Sequence, residues 1–302
     1  MRNLELAIKY LAGERLIGTA AERVVLTADV AAISDTGLSF LYKFNEASGD
    51  VINYGSVASA NLTVTGLTRD VSTPSGLGNG MSGQGLGYAD YAENTSRVND
   101  YKFMHDGTAK WSVTFWLNLT QTPSTSSHTE TMILGNIWTD DNGIGFCIRA
   151  KYQSASACKI QTLIADGNAG MPLNDNTGND MIPDLNVWHF YCVTYDPTLG
   201  SNHLTVTRDA VASGTSAQGF HQGSEDNDTY SSSNPTRKVT YFARPTGSYD
   251  GEIGGVLAQV MIFEDRILTQ AEKLALYVGT AGVAGGTGTT KITSAWKEKG
   301  TA

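Results

Sequence analysis

Trp111-Ser112-Val113-Thr114-Phe115-Trp116-Leu117-Asn118-Leu119 is the stretch that decides the fold. Trp111, Val113, Phe115, Leu117 and Leu119 alternate with Ser112, Thr114, Trp116 and Asn118, the period of two that a half-buried strand requires. One face is core and the other is mostly polar. Trp116 stands on that second face and is left open between sheet surface and core.

The same period recurs on both sides of this strand. Upstream, Leu38, Phe40, Tyr42 and Phe44 share one face before the turn Asn45-Glu46-Ala47-Ser48-Gly49-Asp50. Downstream, strands are expected at Ile144 to Arg149, Lys159 to Ile164, Trp188 to Tyr195, Leu204 to Arg208, Val239 to Ala243 and Val256 to Phe263, separated by Gly/Asn/Asp/Ser clusters. Strands that follow one another without helices between them predict an all-β sandwich or barrel. Its interior is expected to hold Phe40, Tyr42, Val113, Phe115, Phe190, Val206, Val260 and Ile262. Trp111 and Trp188 are read as core. One late capping box, Leu268-Thr269-Gln270-Ala271-Glu272, opens a short helix through Leu274 and Tyr277 that is expected to stop at Gly279.

Both ends differ from this body. Leu4, Ala7, Ile8 and Leu11 follow helical spacing, and Thr19-Ala20-Ala21-Glu22 fits a second capping box. Residues 280–302 are rich in Gly and Thr, with Ile292 and Trp296 as their bulky anchors. The chain is therefore divided into a helical N-terminal arm (1–37), a sandwich (38–279) and a tail (280–302).

Composition excludes several classes. Of 302 residues 17% are charged, against about 25% in an average globular chain, and 33 are glycine, which suits a folded, turn-rich protein. The net charge is −9, and residues 1–29 are charge-balanced while the tail is slightly basic, so the acidic excess lies in the residues between them. Nucleic acid is not an expected partner for such a body. Nowhere do about 18 apolar residues run together, so no membrane span is expected. The N-terminus has no apolar core followed by a small-residue cleavage site, so export by a secretory signal is not indicated. Cys147, Cys158 and Cys192 show neither a disulfide framework nor metal-type spacing.

Four blocks resemble the laminin-G-like, concanavalin A-like jelly-roll family. They are Tyr101 to Leu119; Thr131 to Gly135 with Gly143 to Phe146; Trp188 to Asp196 with Leu204 to Arg208; and Tyr249 to Tyr277. The resemblance covers about residues 38 to 279 and implies two curved antiparallel sheets packed face to face. It also implies one calcium near the loop rim. The loop from Asp166 to Asp184 and the stretch from Gly214 to Arg237 depart from the family as insertions. The opening Ala7 to Leu11 and Gly18 to Arg23 is similar to openings of bacteriophage virion proteins that carry such sandwiches.

Chemistry is sparse. Glycoside hydrolases with this fold are similar in placing carboxylates as Glu-x-Asp-x-Glu on one strand, and no such triplet occurs. The acidic run Glu225-Asp226-Asn227-Asp228 reads as a solvated loop. There is no His-Glu-x-x-His, no Gly-x-Ser-x-Gly and no Walker loop. No histidine pairs with a Ser or Cys as a base would with its nucleophile. Calcium is the one candidate cofactor, because hard cations want clustered oxygens, and Asp140, Asp141, Asp175 and Asp180 offer them. Asx-turn chemistry is the competing reading at Asp140-Asp141-Asn142. For glycan binding the candidates are Trp138 as aromatic platform, with Asp140 and Asn142 beside it.

Three function classes follow: a structural virion protein, a glycan-binding adhesin module of a phage tail or cell surface, and a glycoside hydrolase. The expectation is the first, a capsid decoration or cement-type protein without enzymatic activity. It would be made in the host cytoplasm and reside in the virion in many copies. Leu4, Ile8, Leu11, Ile292 and Trp296 would anchor it on the major capsid protein or another virion protein, with the sandwich turned outward and a surface glycan as a further partner.

Overall fold

The computed structural model describes residues 33–74, 77–83, 87–91, 100–120, 130–136, 144–154, 157–166, 173–175, 185–199, 203–215, 239–242 and 254–281. Among the described residues, fifteen strands form two antiparallel sheets packed as a sandwich, and one α-helix follows them. The strands are β1 (Leu38–Tyr42), β2 (Thr63–Thr65), β3 (Thr68–Ser72), β4 (Asn79–Ser82), β5 (Tyr88–Tyr91), β6 (Trp111–Leu119), β7 (Glu130–Gly135) and β8 (Ile144–Ser154). They continue with β9 (Ala157–Asp166), β10 (Leu173–Asp175), β11 (Trp188–Tyr195), β12 (Leu204–Arg208), β13 (Val211–Thr215), β14 (Val239–Tyr241) and β15 (Gly255–Glu264). Helix α1 spans Gln270–Ala281. Among the described residues no helix is long and apolar enough to cross a membrane.

The first sheet runs β13-β12-β11-β6-β15-β4-β3, with β1 also paired to β15; the second runs β10-β9-β8-β7-β14-β5-β2. The alternation in β6 explains its central place. Trp111, Val113, Phe115, Leu117 and Leu119 face the second sheet, joined by Phe40, Tyr42, Tyr191, Val193, Val206, Val260 and Ile262. From the second sheet come Phe146, Ile148, Ile160 and Tyr241. Interdigitation of two such inner faces is the ordinary way two sheets hide their apolar surface.

The outer face of the first sheet is buried as well. Trp116, Phe190, Cys192, Met261 and Phe263 form a second apolar cluster with Leu268 and Leu276. Tyr277 of α1 stacks on Trp116, with ring centroids 5.8 Å apart and planes at 18°. This corrects the expected position of Phe190. It is buried, but its neighbours on the alternation, Tyr191 and Val193, take the inter-sheet side, and Phe190 lies under the helix. Trp188 likewise packs, half-buried, against the outer cluster.

The capping box forms as its residues require. The Glu272 amide donates to Thr269 Oγ1 at 3.3 Å, and the Thr269 amide and hydroxyl each donate to Glu272 Oε2 at 2.8 Å. Burial pushes the Glu272 carboxyl up, but the Thr269 donors and the Arg266 guanidinium outweigh it and hold it below the usual range. Arg266 also donates to Ser34 O at 2.6 Å and Thr36 O at 2.7 Å, tying the start of the described chain to the root of α1. The helix continues through Gly279 to Ala281, two residues beyond the expected stop.

Candidate functional site

Asn53 orders an exposed stretch beside β1 of the first sheet. Its Oδ1 accepts from the Leu41 and Gly55 amides at 2.9 Å each, and its Nδ2 donates to Val57 O at 2.8 Å. The Tyr54 amide donates to Leu41 O at 2.9 Å, so residues 53 to 55 run as a fixed extension along the edge of β1. Gly55 allows that close approach, since a Cβ there would sit 2.2 Å from Ser39 O. The consequence is that the Tyr54 ring is held outward by a rigid backbone. At 42% exposure it is the one exposed aromatic side chain among the described residues. The Lys43 ammonium lies 4.0 Å from its ring centroid, within cation–π range. Ile52, also exposed, adds apolar surface next to it. The ammonium covers one face of the ring; an aromatic ring whose other face stacks on the apolar side of a sugar, with a charged donor beside it, can bond the sugar's hydroxyls.

The outer face of the second sheet is polar and covered. Arg149 Nε donates to Gln161 Oε1 at 2.7 Å, and both side chains are buried. Asp90 and Thr240 are buried on the same face, beside the small apolar cluster Met132, Cys147 and Leu163. A fully buried guanidinium must be hydrogen-bonded to be tolerated there, which Gln161 begins to supply.

A third polar group sits at the β12–β13 turn. Asp209 and Ala210 both adopt the left-handed conformation, with φ of 51° and 60°. Asp209 Oδ2 lies 2.7 Å from His189 Nδ1, and Oδ1 accepts from the Phe190 amide at 3.0 Å. Sequence reasoning did not bring these two residues together, because they meet only through the register of β11 and β12. His189 Nε2 is shielded from solvent and makes no hydrogen bond among the described residues. The pair therefore braces the turn, with its free nitrogen closed to an entering substrate.

The residues selected from sequence fall almost entirely elsewhere. Trp138, Asp140, Asp141, Asn142 and Asp180 lie outside the described residues, as do Leu4, Ile8, Leu11, Ile292 and Trp296. Asp175 ends β10, where its backbone pairs with Thr162. Among the described residues no three His, Cys, Asp or Glu side chains group so as to hold a metal ion. Tyr54 was missed because Val51-Ile52-Asn53-Tyr54 follows a Gly-Asp turn and carries too little alternation to read as structured. The usable signal was Asn53 itself, a residue whose amide can replace a missing strand partner.

Comparison with known proteins bears on the fold. No protein-family model and no curated protein sequence matches the chain. Among solved structures it is similar to Trypanosoma rangeli sialidase in complex with sialic acid, with a TM-score of 0.54 and 13% identity over 91% of this chain and 39% of that one. The same sialidase, as a covalent intermediate with 2,3-difluorosialic acid, matches with a TM-score of 0.53 and 12% identity over 82% and 34% of the two chains. The receptor-binding domain of a botulinum neurotoxin of mosaic serotype C/D matches with a TM-score of 0.50 and 14% identity over 81% and 51%. The chain thus spans well under half of the sialidase chains and about half of the toxin domain.

At such identities the likeness shows a shared sandwich fold. Neither a laminin-G nor a phage protein is among these three structures. The expectation that the chain is not an enzyme is corrected here: the solved structures that share its sandwich include sialidases, which are glycoside hydrolases, so the fold gives no ground for excluding hydrolysis.

Proposed function

We propose that the protein is a saccharide-binding module of lectin-like architecture, and that Tyr54 and Lys43 form its contact surface. The observation that carries this reading is the Tyr54 ring, exposed and fixed by the Asn53 hydrogen bonds, with an ammonium 4.0 Å from its centroid. The neighbours fit it: one is a sialidase holding sialic acid and another a toxin's receptor-binding domain. Losing a stacking aromatic from a shallow sugar site removes most of its affinity, because such sites rest on a few contacts. A Tyr54→Ala variant is expected to lose about tenfold in affinity on a glycan array, equivalent to about 1.4 kcal/mol, with an unchanged melting temperature. Lys43→Gln is expected to weaken binding less. Equal array signals for the parent and Tyr54→Ala proteins would overturn the reading.

A second reading is favoured by a different observation. Ile33, at the start of the described chain, packs against the outer cluster of the first sheet, and α1 lies on that same face. The arm and the tail thus extend from elements held on one side, which suits attachment to a virus particle through both ends. Deleting residues 2 to 28 is expected to abolish binding to particles while circular dichroism keeps its β signature. Full occupancy by the truncated protein would refute anchoring by the arm.

A further inference from the structure

We infer that the Tyr54 surface selects an acidic saccharide, one whose stacked ring bears a carboxylate, and that Lys43 is the residue that makes the selection; this rests on the saccharide-binding reading of that surface. Tyr42 and Asn53 form an antiparallel bridge. Alternation from that bridge places Lys43, Ile52 and Tyr54 on the side of Leu41, which belongs to the outer cluster of the first sheet. A cation, an aliphatic side chain and an aromatic ring are thus displayed together. Ile52 and Tyr54 are exposed and Lys43 is half-buried.

The Lys43 ammonium carries no counter-charge. Among the described residues no carboxylate pairs with it, and the Tyr54 ring is its partner. Glu46, the nearest acid along the chain, is engaged elsewhere: its Oε1 accepts from the Ile52 amide at 3.1 Å and its Oε2 is shielded from solvent. The Arg69 guanidinium donates to Glu46 O at 2.8 Å and to Gly49 O, which brings a second cation to the same loop. An ammonium resting on an exposed ring gives up little by leaving it, because cation–π attraction is weak where water competes. Its stem is long and flexible, while the Gln259 amide, donating to Lys43 O at 3.4 Å, fixes the backbone beneath. The ammonium can therefore swing to the rim of the ring while a sugar stacks on the face it does not cover. A carboxylate borne by a pyranose lies at the edge of that sugar, where a donor at the rim meets it. The charge-assisted hydrogen bond formed there is about twice as strong as the neutral bond a hydroxyl would accept. Tyr54 and Ile52 hold the apolar side of the sugar, and Lys43 reads its charge.

The test uses the full chain and two probes with the same sugar rings, trigalacturonate and its methyl ester, which lacks the charge. The parent protein is expected to bind the acid about fivefold more tightly than the ester at low salt, a preference that shrinks as salt rises. Lys43→Gln is expected to lose that preference and to keep the affinity for the ester. Lys43→Arg, which restores a cation, is expected to regain it. Tyr54→Ala is expected to weaken both probes. Equal affinities for acid and ester in the parent, a preference that survives in Lys43→Gln, or one that is missing in Lys43→Arg would overturn the inference. Weakening of both probes by Tyr54→Ala would in each of those cases leave the saccharide-binding reading standing. Binding of both probes unaffected by Tyr54→Ala would sink that reading and this inference with it, and binding of neither probe by the parent would overturn the inference, with the glycan array deciding the reading.

Discussion

Replacing Trp116 by alanine is expected to destabilise the protein by about 3–5 kcal/mol, as much as a substitution between the two sheets, although Trp116 faces outward from both of them. The side chain is 2% exposed and is enclosed by Tyr277, Phe190 and the residues around them. Removing the indole leaves a cavity that the flat sheet beneath cannot fill, and it takes away the surface on which α1 is seated. Denaturant melts of parent and variant measure the loss. A second readout identifies its place. The Cys192 thiol belongs to the same cluster, and burial pushes it up to about 11 despite the opposing Lys273 ammonium. In the parent protein at neutral pH this thiol is expected to resist alkylation. In Trp116→Ala its labelling, located by mass spectrometry, is expected to accelerate as α1 lifts. A loss below about 1 kcal/mol, within the ordinary range for surface substitutions, would show that the helix is not held by this ring.

The fate of Trp116 also shows what alternation does and does not carry. In β6, β11 and β12 the period of two marks the observed bounds, Trp111–Leu119, Trp188–Tyr195 and Leu204–Arg208, because each has a bulky apolar set on one side. Alternation assigns residues to two faces without saying which face is interior. The first sheet is covered on both, by the second sheet and by α1, so Phe190 and Trp116 satisfy a burial rule on the side that the pattern leaves undecided. The strands between residues 63 and 91 went unread for another reason. Thr63–Thr65, Thr68–Ser72 and Asn79–Ser82 are short, polar or glycine-bearing, and pair at or near sheet edges, where neighbouring strands supply the order that local sequence lacks. The expected strand through Phe44 ends at Tyr42, since Phe44 turns to a φ of 56° and starts the loop that carries Tyr54 outward. The candidate surface depends on no motif: Tyr54 is displayed by the Asn53 hydrogen bonds to β1, so it exists at the level of pairing and not of sequence pattern.

Alkaline pH is expected to unfold the protein through its inter-sheet tyrosines. Tyr101 OH lies 3.1 Å from both Tyr42 OH and Tyr241 OH, and Tyr42 OH donates to Ala60 O at 2.7 Å. The Tyr101 ring stacks on Phe40 at 4.2 Å, which fixes the middle of this chain of hydroxyls. Burial raises the phenols of Tyr42 and Tyr101 well above the ordinary value, helped at both by the nearby Tyr241 and opposed at Tyr42 by the hydrogen bond to Tyr101; burial raises Tyr241 as well, against the Tyr101 hydrogen bond. The folded state therefore keeps these protons above pH about 10, where the unfolded chain releases them. Stability is unaffected by them below that pH and falls as pH rises beyond it, because the unfolded state then binds fewer protons. Phenolate absorbance is expected to show the exposed tyrosines titrating first and these three only together with loss of the β signal in circular dichroism. Tyr101→Phe keeps the stacked ring and removes the central hydroxyl, leaving Tyr241 OH without its partner at a cost of about 1–3 kcal/mol. That variant should unfold at lower denaturant and still show alkaline unfolding through Tyr42 and Tyr241. Reversible titration of every tyrosine with the β signal intact would mean that the hydroxyl chain is open to water, and that the two sheets are less tightly closed over it than the 0–1% exposure of these three residues implies.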